Sequence, residues 1–241
     1  MSFHIECRTL QRKTPDEINE IVEQLTVFSH HQVAAITREY IEARVRKYNT
    51  LALLWSDDSV DAKLAGFGFA HVQDFSFGIK VPWIHYGLMI IDKSYREQRG
   101  STKLAREIVS YVCTQRRWKM SVTGVLLTAK CSSPISFMRL HLGSYRTGFP
   151  RIKSGASFDF LTRSKPMRLL SRKISQALGV EATEDFLIRD VNKDSGFSLE
   201  RETYWAHTSY QDRIIDYFHR HVLPENELIF VTWCPAVGLW M

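Results

Sequence analysis

Residues Trp83 to Gln115, WIHYGLMIIDKSYREQRGSTKLAREIVSYVCTQ, restrict what this chain can fold into more than any other stretch. Trp83 to Ile91 is a short apolar run rich in aromatic and β-branched residues, which reads as a buried strand. Polar residues follow from Asp92 to Thr102, with Gly100 among them. Apolar residues then recur at Leu104, Ala105, Ile108, Val109, Val112 and Cys113, which is helical spacing. Such a strand–turn–helix unit sets backbone N–H groups and the positive end of a helix dipole at the carboxyl edge of a strand, where phosphate binds readily. Arg96, Arg99, Lys103 and Arg106 add positive charge at the same point, and arginine makes bidentate bonds to phosphate. From pattern alone, two readings stand: a diphosphate cradle, or an ordinary connection with a charged first turn.

The stretch IDKSYREQRGSTKLAREIV resembles the acetyl-coenzyme A signature of the GCN5-related N-acetyltransferases, loosely Val-Asp-Pro-x-Tyr-Arg-Gly-x-Gly-x-Gly/Ala-x-x-Leu. Ile91, Asp92, Tyr95, Arg96 and Leu104 fall in register without a gap. At the glycines two registers are open. Ungapped, Arg99 and Ser101 stand there; with one extra residue, Gly100 and Thr102 do. The resemblance implies that Ile90, Ile91, Arg96, Arg99, Gly100, Ser101 and Thr102 contact acetyl-CoA or another acyl-CoA.

The rest of the chain supplies the order of elements that this resemblance needs. Phe3 to Leu10 alternates as a first strand. Thr14-Pro15-Asp16-Glu17 is a helix start, with a Thr cap, Pro at the first position and Glu at the third. Ile18, Ile21, Val22 and Leu25 form its apolar face. A second helix is expected over Gln32 to Tyr48, with His30 and His31 between the two. Adjacent histidines point to different sides of a helix and make a poor metal pair. Thr50 to Trp55 and Lys63 to Val72 read as a hairpin around Ser56-Asp57-Asp58-Ser59, and Gly66 and Gly68 suggest a bulge or a close backbone contact. A polar loop is expected before Trp83.

Gly124 to Ala129 is a further buried strand, and Lys130 to Pro134 leads into a short helix, Ile135 to Leu142. In the family this helix passes the coenzyme; the resemblance places Ser133 or its neighbour Ser132 at a position usually held by Asn. Arg139 or Leu140 stands where the family carries a tyrosine acid, so His141 and Tyr145 are the nearest proton-donor substitutes. Arg151 to Ser175 is strongly basic and in part an amphipathic helix, read first as a charged face over a packed helix. A helix over Tyr210 to Val222 and a last strand, Glu227 to Cys234, complete the chain. Residues 154–224 read as an elaboration within one domain spanning 1–241.

Composition bounds the alternatives. With 44% hydrophobic and 24% charged residues, the chain reads as a globular protein. No apolar run approaches a membrane span, and the first residues lack a signal-peptide apolar region. Cys7, Cys113, Cys131 and Cys234 show no metal spacing, so a reduced, cytoplasmic protein without metal is expected. The net charge of +6 suits coenzyme phosphates, nucleic acid or acidic membrane alike.

The resemblance thus implies an α/β chain of the acyl-CoA N-acyltransferase fold. It would have a mixed, twisted sheet split at the cofactor site, flanking helices and a helical C-terminal elaboration. The activity implied is transfer of an acetyl or longer acyl group from acyl-CoA to an amine. Acyl carrier protein is an alternative donor, and a non-catalytic binder of coenzyme A or a macromolecule is the reading from another class. Acyl transfer to an amine needs a proton acceptor and an oxyanion site. His85 lies eleven residues before Arg96, near where the family's base often sits, and unperturbed imidazole titrates near pH 6.5. Strict alternation would put His85 on one face with Trp83, Gly87 and Met89. A hydrogen-bonded core histidine is the competing reading. RNA or membrane contact by the basic Arg151–Ser175 segment is not expected.

Overall fold

The computed structural model describes residues 3–33, 36–56, 62–96, 98–143, 151–152, 158–159, 165–183, 186–189, 214–222 and 225–234. Two compact units divide the chain, residues 1–127 forming the body of one and 128–234 the other. The division falls inside β5 (Val125–Cys131).

In the first unit, β1 (His4–Thr9) pairs antiparallel with β2 (Thr50–Trp55), β2 with β3 (Leu64–Phe77), and β3 with β4 (Ile79–Ile91). The order runs β1-β2-β3-β4-β5. Helices cover both faces. α1 (Pro15–Gln32) opens with the expected capping box, the Thr14 hydroxyl accepting from the Glu17 N–H and the Glu17 carboxylate from the Thr14 N–H. It buries Ile21, Val22, Leu25 and Phe28. α2 (Arg38–Lys47) is capped by Thr37 and buries Ile41 and Val45. Phe67 and Phe69 of β3 meet these helices through Phe28 and Tyr48. Gly68, between them, faces α4 (Gly100–Thr123) instead: a Cβ there would lie 2.6 Å from Leu104 Cδ2. The two-residue period of the strand thus assigns one face to α1 and α2 and the other to α4.

In the second unit the strand order is β5-β9-β8, with β8 (Leu187–Ile188) antiparallel to β9 (Glu227–Cys234). Lys130 of β5 and Glu227 of β9 form an ion pair at 2.8 Å. α5 (Pro134–Gly143) and α6 (Lys165–Leu178) flank these strands in sequence, and β6 (Arg151–Ile152) pairs with β7 (Phe158–Asp159). α6 buries Ser171, Ile174 and Ser175 and exposes Arg168, Arg172 and Lys173. That is the charged face over a packed helix expected from its pattern. Residues 214–217 are helical and continue as a π-helical turn, Phe218–Val222.

The mixed α/β architecture, with strand, two helices, hairpin, strand, turn and helix in that order, is the one the resemblance implies. Three details differ. His30 and His31 lie in the last turn of α1, not between helices; their side chains stand where the helix dipole is negative, and Thr37 starts α2 five residues later. The expected polar loop before Trp83 is instead a continuous hairpin. Phe75 and Val81 are buried as a cross-strand pair, Asp74 meets Pro82, and Gly78 turns the chain at φ 82°. The polarity of Gln73, Asp74 and Ser76 reflects a ribbon whose side chains partly face water. Finally, β4 does not alternate strictly.

Gly68 pairs with Met89 and Ala70 with Tyr86, so Phe69 alone opposes both Gly87 and Leu88. This is a β-bulge on β4, which bends the strand and shifts the facing of the residues beyond it. Met89 now shares the α4 face with Gly68, while His85 and Gly87 face Tyr48. The expectation that His85 and Met89 share a face is corrected by that extra residue. A Cβ at Gly87 would lie 2.4 Å from Tyr48 Cζ. Gly87→Ala should therefore cost about 1–3 kcal/mol and lower the melting temperature by several degrees. In a Tyr48→Leu background the same substitution should cost less; equal penalties in both backgrounds would show that the ring is not what the methyl meets.

Candidate functional site

The end of β4 turns directly into two helices. Asp92 closes the turn: its Oδ1 accepts from the Ser94 N–H at 2.9 Å and the Ser94 hydroxyl at 2.5 Å, and its Oδ2 from Gln32 Nε2 at 2.8 Å. The last bond ties the turn to the end of α1. These hydrogen bonds, Ser94 foremost, with the Arg96 charge adding to them, hold the Asp92 carboxyl below the usual carboxylate range. A single helical turn, α3 (Lys93–Arg96), follows. Arg96 folds back, its Nε donating to the Ile91 carbonyl at 2.8 Å. It therefore closes the strand end as well as bringing charge to the turn.

α4 then begins with no side-chain cap. Arg99 precedes it at φ 60°, ψ 29°, a left-handed conformation that glycine adopts without cost. This favours the ungapped register of the resemblance, in which Arg99 stands at a glycine position. Gly100 is required for another reason: a Cβ there would lie 2.9 Å from the Tyr95 carbonyl oxygen and 3.3 Å from Ile91 Cγ2. Ser101 and Thr102 follow in the first helical turn, half-buried, with Arg99 and Lys103 exposed beside them. Lys103 Nζ lies 4.2 Å from the centre of the Phe3 ring, over an open hollow of about 420 Å³ lined by Phe3, Ile5, Lys103, Arg106 and Glu107. Ile90 and Ile91 are both buried in the strand end, opposite Phe67 and Gly66. Six of the expected coenzyme contacts thus lie at the junction of β4 with the two helices: Ile91 at the strand end, Arg96 in α3, and Arg99, Gly100, Ser101 and Thr102 at the start of α4. A helix N-terminus lacking a side-chain cap, flanked by two exposed cations, is a donor set that fits a diphosphate.

His85 lies six residues before Ile91, on the face opposite α4. It is 1% exposed, stacked on Tyr48 with ring centres 6.3 Å apart and against Trp83 at 6.1 Å. The notch left by the absent side chain at Gly87 is filled by the Tyr48 ring. His71 is the cross-strand partner of His85. His71 and Tyr48 line a hollow of about 340 Å³ together with Lys13, Arg46, Lys47 and Asn49. Sequence reasoning missed Tyr48, since an aromatic at the end of a helix gives no sign of what it will cover. The bulge did have a signal: a glycine inside a strand.

The remaining expected residues lie in the second unit. Ser133 precedes α5, its carbonyl accepting from the Phe137 N–H at 3.2 Å. His141 belongs to α5, and Tyr145 lies outside the described residues. Thiol chemistry has little support: burial pushes Cys7 up to about 12 and raises Cys131 and Cys234 as well. Among the described residues no group of three His, Cys, Asp or Glu side chains is placed to hold a metal, and no helix is long and apolar enough to cross a membrane.

No family model and no curated protein matches the chain. Among solved structures it is similar to an aminoglycoside acetyltransferase from an uncultured soil metagenomic sample, at 14% identity and a TM-score of 0.40, over 65% of this chain and 100% of that one. It is also similar to a ribosomal-protein-alanine N-acetyltransferase from Brucella melitensis, at 12% identity and a TM-score of 0.39, over 64% and 96% of the two chains. A third similarity is to glucosamine-6-phosphate N-acetyltransferase from Arabidopsis thaliana, at 17% identity and a TM-score of 0.36, over 66% and 100%. Similarities of this size leave the chain's own turn and strands to define its site.

The turn makes a prediction about acid. A carboxylate whose folded pKa is depressed stabilises fully above its unfolded value and loses that stabilisation as pH falls through the folded one. Asp92 should therefore contribute fully at neutral pH, begin to lose that contribution below about pH 4, and lose all of it once pH has fallen through its own depressed value. Asp92→Asn keeps the acceptor but removes its charge, so it should lower stability at pH 7 by about 1 kcal/mol, the margin of charge-assisted over neutral hydrogen bonds, and by much less at pH 2, read from urea unfolding at both. An equal loss at both pH values would show that its charge does not hold the turn.

Proposed function

We propose that this protein transfers an acyl group from an acyl-CoA to an amine. The observation that carries this is the β4–α4 turn, where a bulged strand runs into a helix with no side-chain cap under exposed Arg99 and Lys103. The thioester supplies an activated carbonyl. The backbone around Gly100 and the Arg99 and Lys103 side chains bind and orient the diphosphate, and Gly100 allows the helix to close on Tyr95. Arg96 and Asp92 hold the turn in shape. The extra residue at Gly87–Leu88 leaves ladder groups of β4 unmatched by β3, which is where an oxyanion donor on this strand belongs. His85 is the candidate proton acceptor, reached through a water or a displacement of Tyr48.

A second reading, binding of coenzyme A without transfer, is favoured by one observation: His85 is buried beneath Tyr48. Calorimetry with acetyl-CoA, followed by thiol release across a panel of amines, separates the two. Binding together with amine-dependent release supports transfer, whereas binding without release supports the second reading. No binding of acetyl-CoA or a long-chain acyl-CoA overturns both. Arg99→Ala should weaken coenzyme A binding about tenfold or more, since a charge-assisted hydrogen bond is worth about 1.5–3 kcal/mol, with the melting temperature unchanged. Unaltered affinity would remove the turn as the diphosphate site.

Where release is seen, His85→Gln should lower the rate by about 10²–10⁴ and abolish the acidic limb of the pH–rate profile, with donor affinity unchanged. A retained limb and rate would return His85 to the core.

A further inference from the structure

The second half of α4 presents a face that neither the sheet nor the candidate site explains. Trp118 is 87% exposed and Val122, one turn on, is 79% exposed. At 100° per residue these two project together, directly away from Met120, which is buried against the protein. Arg117 and Lys119 lie on either side of Trp118, about 100° away in each direction. From Ile108 to Thr123 the helix carries no acidic residue. Among the described residues a carboxylate reaches it from the β3–β4 hairpin: Asp74 bridges Arg116 at 2.7 Å and Lys119 at 2.5 Å. Lys80 is close enough to add its charge at Asp74. One carboxylate thus faces three cations, and Arg117 makes a fourth. Beyond Asp74, the hairpin that these bridges fasten to α4 exposes a further large apolar side chain, Ile79.

We propose that this face docks on an anionic lipid surface. An indole and a valine projecting from a convex helix suit a medium that yields around them. The indole sits at the headgroup level while the flanking Arg and Lys reach lipid phosphates. A folded partner would instead need a pocket shaped to the indole and several hundred Å² of matched surface around it. A charge surplus of one sign, free of acidic residues along the helix itself, adds electrostatic attraction to the apolar insertion. The consequence is that the acyl-transfer reading acquires a location: a site on the same unit held against a membrane, where long-chain acyl donors partition. The docking itself does not depend on that reading.

The test uses the full chain and two vesicle compositions, phosphatidylcholine alone and phosphatidylcholine with roughly one-third phosphatidylserine. Sedimentation is expected with the anionic vesicles, falling as salt is raised, and not with the neutral ones. Trp118→Ala and Arg117→Glu should each lower the bound fraction at least about fivefold. Both side chains are exposed, so the melting temperature should not move. Coenzyme A affinity should be unchanged too, which separates this proposal from the diphosphate site. The proposal is overturned by equal sedimentation with both compositions or by none with either. It is equally overturned if Trp118→Ala leaves vesicle binding intact but disperses a dimer at sedimentation equilibrium, or abolishes only the retention of a single-stranded RNA homopolymer.

Discussion

The seating of α4 on the sheet is the contact on which the rest of the first unit depends. It relies on atoms that are missing. A methyl group at Gly68 would strike Leu104, one at Gly66 would strike Ile91, and one at Gly100 would strike the Tyr95 carbonyl. With hydrogens in their place, the helix lies close against β3 and β4 and Leu104 is fully buried. The dispersion and hydrophobic gain of that contact is large because it is close-packed. Its by-product is positional: the positive end of a 24-residue helix is pinned to the carboxyl edge of β4, with Arg99 and Lys103 beside it.

The opposite face of the same strands is organised by a different device. The bulge at Gly87–Leu88 lets β4 present His85 and Gly87 to α2 while turning Met89 toward α4. Tyr48 occupies the notch at Gly87 and stacks on both Phe69 and His85. A buried imidazole between aromatic rings is compatible with a structural role and with a guarded catalytic one, and Tyr48 is the side chain on which that distinction turns. Asn49, next to it, brackets Val72 with its side-chain amide, donating to the carbonyl and accepting from the N–H, both at 2.8 Å. The end of α2 is thereby fastened to β3 next to the ring.

The two ends of α4 have different chemistry, and the kink at Arg116, whose φ of −126° is not helical, marks the division. Ahead of it the helix is a packed element with a basic first turn. Beyond it the helix is tethered by Asp74 to the hairpin and carries its largest apolar side chain outward. A long helix that serves the core along one half and an outside surface along the other accounts for both the buried Leu104, Ile108 and Val112 and the exposed Trp118 and Val122.

The sequence by itself determined the periodic features. The capping box at Thr14, the apolar face of α1, the basic face of α6, the strand at Trp83–Ile91 and the basic turn into α4 were all legible, because each depends on neighbours along the chain. Gly66 and Gly68 were legible as either a bulge or a close contact, and the packing of Ile91 and Leu104 against them decides for the contact. Tertiary structure alone decided the rest. Gly87 hinted at an irregularity in β4, but that it is a bulge moving Met89 off the His85 face is set by how β3 and β4 pair, and one extra residue inverts every facing beyond it. That Tyr48 covers His85 and that Asp74 clamps the far end of α4 depend on contacts between residues far apart in sequence. No local pattern encodes those contacts, because their energy resides in surfaces that exist only after the chain has folded.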